Sequence, residues 1–360
     1  MKKLICLALV CALLLPRAGA VSAHSAVVLD GTTGECLFAQ NADEQLPMAS
    51  TTKIMTAITA IEMGDIDRTY RVKKEYTLVE GSSMYLREGE EISLRDTLYG
   101  LMLMSGNDAA LAVAGECGGQ EAFVAAMNAK AEALKLFHTH FDNPNGLDGE
   151  THYTTARELA KLAAYAMENE TFREIVSTTT YTNAGRTMTN HNKMLRLYPD
   201  AVGVKTGFTK RAGRCLVSAA ERDGRRLIAV TLNAPDDWND HMAMLDAAFA
   251  RYETVELNGA GETVASVPVE SGWLDAVELT ADGAVSLSLT ADERARLETV
   301  RVGRRFLYAP VKAGEPCGEL VYTLDGVELA RVGLRAARDS GQLEEAPGLF
   351  ERLLGWLPFF

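Results

Sequence analysis

Ser50-Thr51-Thr52-Lys53, followed at once by Ile54, Met55, Ala57, Ile58 and Ile61, is the stretch that most restricts this chain. The apolar spacing predicts a buried helix that stops at Gly64. Residues i and i+3 of a helix share a face, so the Lys53 amine comes within hydrogen-bond reach of the Ser50 hydroxyl. A free serine is a weak nucleophile, and a lysine stripped of water inside a core can lose its proton and serve as its base. In the first turn, Ser50 would also have a backbone N–H beside it, the raw material of an oxyanion hole. Alone the motif decides nothing: chance supplies Ser-x-x-Lys roughly once in a chain of this length, and an exposed serine and lysine on a surface helix read the same way.

Two further motifs change that. Ser105-Gly106-Asn107 follows the apolar run Leu98 to Met104, and Lys205-Thr206-Gly207 follows Ala201-Val202-Gly203-Val204. Each pattern occurs once, and the order is SxxK, SxN, KTG. Lys-Thr-Gly alone is expected by chance in about one such chain in ten.

At 360 residues the chain is long enough for two domains. Residues 1–23 read as a signal peptide, with basic Lys2 and Lys3, an apolar Leu4–Leu15, and two small-residue cleavage sites at Ala18-Gly19-Ala20 and Val21-Ser22-Ala23. Export is the expectation. Removing them takes away Lys2, Lys3 and Arg17 and no acid, so net charge goes from −13 to −16. That balance argues against nucleic-acid binding. Four cysteines remain, Cys36, Cys117, Cys215 and Cys317, too scattered for a disulfide framework and expected as buried free thiols.

Ser25 to Asn41 reads as a hairpin, and segments rich in Ala and Leu then run to about residue 170, with helices expected at 108–117, 121–135 and 155–168. Val202 to Thr209 reads as a returning strand, Gly213–Ala220 and Arg226–Leu232 as a hairpin over Asp223-Gly224, and Asp240 to Tyr252 as a closing helix. This is a mixed domain, a sheet with a helical cluster, over residues 24–255. Residues 256–338 alternate short β-like runs with turn signals such as Asp282-Gly283 and Asp325-Gly326, and read as a small all-β domain. In the tail, 339–360, Leu349, Phe350, Leu353, Leu354 and Leu357 recur at helical spacing ahead of Phe359 and Phe360. It is too short to span a bilayer and suited to lying in its interface; docking onto its own β domain is the alternative.

Together these features resemble the low-molecular-mass penicillin-binding proteins, serine-type D-alanyl-D-alanine carboxypeptidases. The resemblance rests on Ala49-Ser50-Thr51-Thr52-Lys53, Ser105-Gly106-Asn107-Asp108-Ala109, Asn143-Pro144-Asn145-Gly146-Leu147 and Val204-Lys205-Thr206-Gly207-Phe208-Thr209. It implies an α/β penicillin-binding transpeptidase/β-lactamase-like domain, followed by the small all-β domain and the amphipathic tail. It also implies peptidoglycan stem peptides as substrate, β-lactam antibiotics as covalent inhibitors, and no metal or other cofactor. Ser50 would be acylated, Lys53 would take its proton, Ser105 would pass a proton to the leaving D-alanine nitrogen, and Asn107 would hold Lys53 or the substrate amide. Lys205 and Thr206 would meet the terminal carboxylate, Gly207 would let the peptide close, and the N–H of Phe208 would complete the oxyanion hole. Location at the outer face of the cytoplasmic membrane or in the wall follows.

One departure stands out. Members of that family carry an arginine in the loop after the second hairpin strand, where this chain reads Asn233-Ala234-Pro235-Asp236-Asp237-Trp238-Asn239. Lys210, Arg211 and Arg214 are the candidate replacements. Three rival readings exist. A class A β-lactamase would carry Asp at position 106 and a Glu-x-x-Leu-Asn loop, which Glu168-Asn169-Glu170 does not match. A zinc peptidase would have to use His138, His140 and Asp142, and a wall-binding protein without activity would not need the intact trio.

Overall fold

The computed structural model describes residues 21–343 apart from Ala184. The chain divides between Ala250 and Arg251 into two compact units. In the first, β1 (Ser25–Asp30) and β2 (Cys36–Gln40) form the expected hairpin, and a 3-10 turn at Ala49–Thr52 leads into α1 (Lys53–Glu62). A short ribbon of β3 (Thr69–Arg71) and β4 (Glu91–Ser93) precedes α2 (Leu94–Leu103), α3 (Asn107–Glu116), α4 (Gln120–Ala133), α5 (Ala156–Met167) and α6 (Glu170–Ser177). A second ribbon, β5 (Thr180–Asn183) and β6 (Arg186–Thr189), and the single turn α7 (Met194–Leu197) return the chain to β7 (Ala201–Thr209), β8 (Gly213–Arg222) and β9 (Arg225–Leu232), closed by α8 (Asp237–Phe249).

The main sheet runs β2-β1-β9-β8-β7, antiparallel throughout, which leaves β7 on an edge. Strand alternation assigns its two faces. Val217, Ala219, Ile228 and Val230 pack with Ile54, Ile58, Leu98 and Leu159 of the helical cluster. Ser218 and Thr231 turn to the other side, where their hydroxyls bond the two ring nitrogens of His241 on α8 at 2.9 and 3.0 Å. Cutting any of the buried leucines or isoleucines to alanine costs about 2–5 kcal/mol. Asp223 and Gly224, both at positive φ, make the β8–β9 turn as the Asp-Gly pair suggests.

The second unit contains β10 (Glu253–Asn258), β11 (Thr263–Glu270), β12 (Ala276–Ala281), β13 (Val285–Leu289), α9 (Ala291–Arg296), β14 (Leu297–Val302), β15 (Leu307–Tyr308), β16 (Pro316–Leu324) and β17 (Val327–Ala336). Six of these form the sheet β14-β16-β17-β12-β11-β15, and β10 pairs with β13. Val267, Val277, Leu279, Leu320, Tyr322 and Leu334 fill its core. Asp325-Gly326 is a hairpin turn, whereas Asp282-Gly283 is not: β12 and β13 are not neighbours, and Asp282 N bonds Gly333 O instead.

Three expectations need adjustment. Cys36 is exposed, unlike the other three free thiols, because β2 is the opposite edge of the sheet. The closing helix begins at Asp237, one turn earlier than its apolar periodicity indicates. Residues 340–343, placed with the tail by composition, bond to the β unit through Ser340 with Val311, Gly341 with Trp273 and Leu343 with Ser271. Residues 1–20 and 344–360, which hold most of the expected signal peptide and of the expected amphipathic tail, lie outside the described residues. Among those described, no helix is long and apolar enough to cross a membrane.

Candidate active site

Ser50 sits in the 3-10 turn and Lys53 is the first residue of α1, a tighter arrangement than the α-helical spacing anticipates. In a 3-10 turn i and i+3 eclipse, which aligns the two side chains. Lys53 Nζ lies 2.9 Å from Ser50 Oγ, 2.8 Å from Asn107 Oδ1 and 2.5 Å from the carbonyl oxygen of Asn145. Asn107 is held in that orientation because its Nδ2 donates to Glu80 O at 2.7 Å. Burial, reinforced by Lys205 and opposed by Asp108, holds the Lys53 amine well below the ordinary lysine value. Two of its partners can only accept. A neutral amine therefore spends its two hydrogens on Asn107 and Asn145 and turns its lone pair to the Ser50 hydroxyl.

The turn itself is pinned from behind. Asp142 N–H donates to His152 Nδ1 at 3.0 Å, so the other ring nitrogen carries the hydrogen and donates to Thr52 Oγ1 at 2.7 Å; Thr52 in turn donates to Ala49 O at 2.8 Å. Burial pushes His152 down to about 4, which keeps this relay neutral. Gly146, with φ of 88°, lies against Ala49, and a Cβ there would collide with the Ala49 carbonyl. Ala49 and Ser105 both adopt positive φ, 49° and 58°, a strained choice for residues with a side chain and a mark of over-determined local structure.

Ser105 and Asn107 come from the junction of α2 and α3. Buried Asp108 fastens that junction to the loop before β4, accepting from Ser83 Oγ at 2.6 Å and from Met84 and Leu86 N–H at 3.0 Å. From the far side comes β7. Its Gly207 is close enough to the 3-10 turn that a Cβ would stand 3.1 Å from both Met48 O and Ser50 N. Lys205 is fully buried, its Nζ bonded to Thr206 O at 3.0 Å, and burial brings it down to about 7.

A cleft of about 540 Å³ joins these parts, lined among others by Ser50, Ser105, Thr206, Gly207, Phe208 and Arg214. The sequence-derived residues thus converge: Ser50, Ser105, Thr206, Gly207 and Phe208 line the cleft, Asn107 and Lys53 lie beneath Ser50, and Lys205 is buried in the adjoining strand. Of the three candidate cations, Arg214 lines the cleft, Arg211 is bonded to Gly149 O, and Lys210 is exposed elsewhere. Register places Arg214 opposite Phe208 on the face of α8. Its guanidinium bonds buried Asp237 at 2.6 and 3.0 Å and stacks over Trp238 at 5.5 Å.

Asn145, Asp108 and His152 escaped the sequence reading as site members. Asn145 was visible within Asn-Pro-Asn-Gly and Asp108 beside Ser-Gly-Asn, but their roles use a carbonyl and a buried loop, and a lone histidine carries no signal. The zinc candidates are otherwise engaged: His138 bonds Glu158, and His140 bonds Thr151 O and Asp142. Among the described residues no group of three or more His, Cys, Asp and Glu is placed to hold a metal. Glu168 pairs with Arg226 and Asn169 caps α6, away from the cleft lining.

Comparison with known proteins agrees with this geometry. Residues 14–236 match the family model for D-alanyl-D-alanine carboxypeptidase, and residues 252–342 match that for the penicillin-binding protein 5 C-terminal domain. The chain is 35% identical over 334 residues to the D-alanyl-D-alanine carboxypeptidase DacF of Bacillus subtilis, covering 88% of this chain and 85% of the relative. It is 30% identical to DacA of Haemophilus influenzae over 94% of this chain and 89% of that one. Among solved structures, penicillin-binding protein 5 from Haemophilus influenzae superposes with a TM-score of 0.64 at 28% identity, over 89% of this chain and 98% of its own. The Streptomyces K15 DD-transpeptidase gives 0.62 at 34% identity, over 64% and 98%. The chain belongs to the D-alanyl-D-alanine carboxypeptidase family of serine peptidases.

Proposed function

We propose that the protein removes the terminal D-alanine from peptidoglycan stem peptides ending in D-Ala-D-Ala, through an ester on Ser50, and is trapped by β-lactams at the same atom. The observation that carries the reading is the set of contacts at Lys53 Nζ, 2.9 Å from Ser50 Oγ and held by Asn107 Oδ1 and the Asn145 carbonyl. Ser50 Oγ attacks the penultimate carbonyl while Lys53 Nζ takes its proton. The N–H groups of Ser50 and Phe208 receive the oxyanion, and the nearness of Gly207 to Ser50 N supports that pairing. Ser105 passes its proton to the departing D-alanine nitrogen and is reprotonated with the proton that Lys53 took from Ser50, which leaves Lys53 neutral again. Water then attacks the ester as Lys53 takes its proton, and Lys53 returns that proton to Ser50 Oγ as the serine leaves. Lys205, Thr206 and Arg214 supply the cation and hydroxyl chemistry that a free C-terminal carboxylate requires.

Family members of this kind act on the wall outside the cytoplasm, and export through the N-terminal signal peptide with retention at the outer face of the cytoplasmic membrane by the C-terminal tail completes the proposal. Cleavage after Ala20 is favoured over cleavage after Ala23. Ser22 bonds Asp240 through both N–H and Oγ, at 2.9 and 2.7 Å, and Ala23 is buried. The decisive experiment is mass mapping after exposure to a labelled penicillin. One adduct on Ser50 is expected, absent with D-Ala release in Ser50→Ala; an adduct on another serine would overturn the assignment.

A further inference from the structure

The cleft carries more positive charge than the steps above use. Its lining includes His191, Lys193, Arg196 and Arg214 and a single carboxylate, Asp237, which is spent on Arg214. Burial and the neighbouring Lys205 hold His191 below its ordinary value, so it adds little charge near neutrality. Lys193 and Arg196 remain. Both side chains are exposed, and neither has an ion-pair partner among the described residues. Elsewhere in the same unit Arg157, Arg186, Arg222 and Arg226 each hold a carboxylate. Other cations of the unit are unpaired among the described residues too, Lys135, Lys161 and Lys210 among them, but Lys193 and Arg196 are the ones that line the cleft with Ser50.

The backbone under them is fixed although the side chains are free. Asn190 Nδ2 donates to Val176 O and Thr178 O, and His191 N–H to Leu103 O. Asn190 Oδ1 accepts from Asn192 N, and Asn192 Oδ1 from Met194 N, at 2.9 and 3.0 Å. Met194 is fully buried. Lys193 caps α7 and Arg196 follows three residues later, so one face of a single anchored turn presents both charges. A rigid platform with two free cations is the arrangement that receives an anion.

We infer that Lys193 and Arg196 form a subsite for a second carboxylate of the acyl donor, carried by a residue upstream of the scissile D-Ala-D-Ala bond. The inference rests on the function proposed above. The C-terminal carboxylate is a different group, met by Lys205, Thr206 and Arg214. The consequence is selectivity: peptides whose upstream carboxylate is free are turned over in preference to those in which it is amidated.

The test compares two pentapeptides ending in D-Ala-D-Ala, identical except for amidation of the upstream carboxyl, on the purified protein and on Lys193→Gln/Arg196→Gln. The unsubstituted protein should favour the free acid by roughly three- to fivefold in kcat/KM for each cation, less at high salt. The double variant should lose that preference, process the amidated peptide as before and still take up penicillin on Ser50. Arg196→Lys, alone, should keep it. Equal rates on both peptides, with Ser50 still labelled, would overturn the subsite and leave the function standing. An equal fall on both peptides in the double variant would mean that the two residues only support the fold. Neither labelling nor D-Ala release from the unsubstituted protein would overturn the function and the subsite together.

Discussion

The carbonyl oxygen of Asn145 stands 2.5 Å from Lys53 Nζ, so this residue orients the base with its backbone and not with its side chain. The Asn145 side chain is occupied with Leu147 N–H at 3.0 Å. Asn107, by contrast, uses its side-chain oxygen. Replacing each with alanine should therefore separate chemistry from scaffolding. Asn107→Ala removes an acceptor from a buried amine and should slow penicillin acylation by about one to two orders of magnitude. Asn145→Ala should lower the melting temperature with a smaller effect on acylation. Stopped-flow acylation and a thermal melt on both variants check this, and the reverse order would refute the assignment.

Gly207 makes the second prediction. A methyl there meets backbone on both sides, Met48 O and Ser50 N at 3.1 Å, and neither can swing away as a side chain would. Gly207→Ala must move β7 and the nucleophile turn apart by a few tenths of an ångström, at a cost of about 1–3 kcal/mol in stability. Acylation should fall by at least about tenfold, because the two N–H groups proposed to receive the oxyanion, those of Ser50 and Phe208, lie on either side of that contact. An unchanged acylation rate would show that the oxyanion is held elsewhere.

Lys205 sets a pH limit. Burial lowers it to about 7, so it is charged below that pH and loses its charge as pH rises through it. If the charge meets the substrate carboxylate, kcat/KM falls on the alkaline side of about 7 for peptides with a free C-terminus. Burial also holds the Lys53 amine well below the ordinary lysine value, and a C-terminally amidated peptide separates its titration from that of Lys205. A peptide amidated at its C-terminus should be a poor substrate and show no such limb. The same alkaline limb with both peptides would remove Lys205 from carboxylate recognition.

How much of this was legible beforehand depends on whether the signal was local. Ser50 and Lys53 are three apart, and one turn of helix is enough to bring them together. The remaining motifs could be spotted as strings, yet their meeting requires the sheet order that puts β7 on the edge beside the nucleophile turn. Arg214 shows the limit most clearly. Composition offered three cations, and only strand register and the partners Asp237 and Trp238 select one. The Asp282-Gly283 turn misled for a similar reason: a strong local hairpin signal does not say which strands become neighbours.

Arg214 gives the fourth prediction. Burial raises the Asp237 carboxyl and Arg214 opposes that rise, so the pair holds itself in place at the cleft wall. Arg214→Gln should raise KM for a free C-terminal peptide by roughly tenfold while changing kcat little, and should leave the C-terminally amidated peptide unaffected. Some loss of stability is expected as well, since Asp237 is left buried without its partner. Asp237→Asn serves as the control, because it loosens the guanidinium without removing it. If Arg214→Gln lowers kcat and KM-independent acylation alike, its role is structural.

The last prediction concerns residues 347–360, proposed above to hold the enzyme at the outer face of the cytoplasmic membrane. Leu349, Phe350, Leu353, Leu354 and Leu357 share helical spacing, and Trp356, Phe359 and Phe360 add aromatic groups suited to an interface. Burying a large aliphatic or aromatic side chain is worth about 1.5–3 kcal/mol, so three or four inserted together offset the freedom lost on adsorption. Arg352 is the only basic residue in this segment, and Glu344 and Glu345 precede it, so anionic lipid offers little electrostatic help. Adsorption should accordingly be hydrophobic and survive high salt. Liposome flotation of the protein with and without residues 347–360, at low and high salt, makes the comparison. The complete chain should float under both conditions and the truncated one under neither. Should both remain in the soluble fraction, the segment packs on its own β unit and the anchor is refuted.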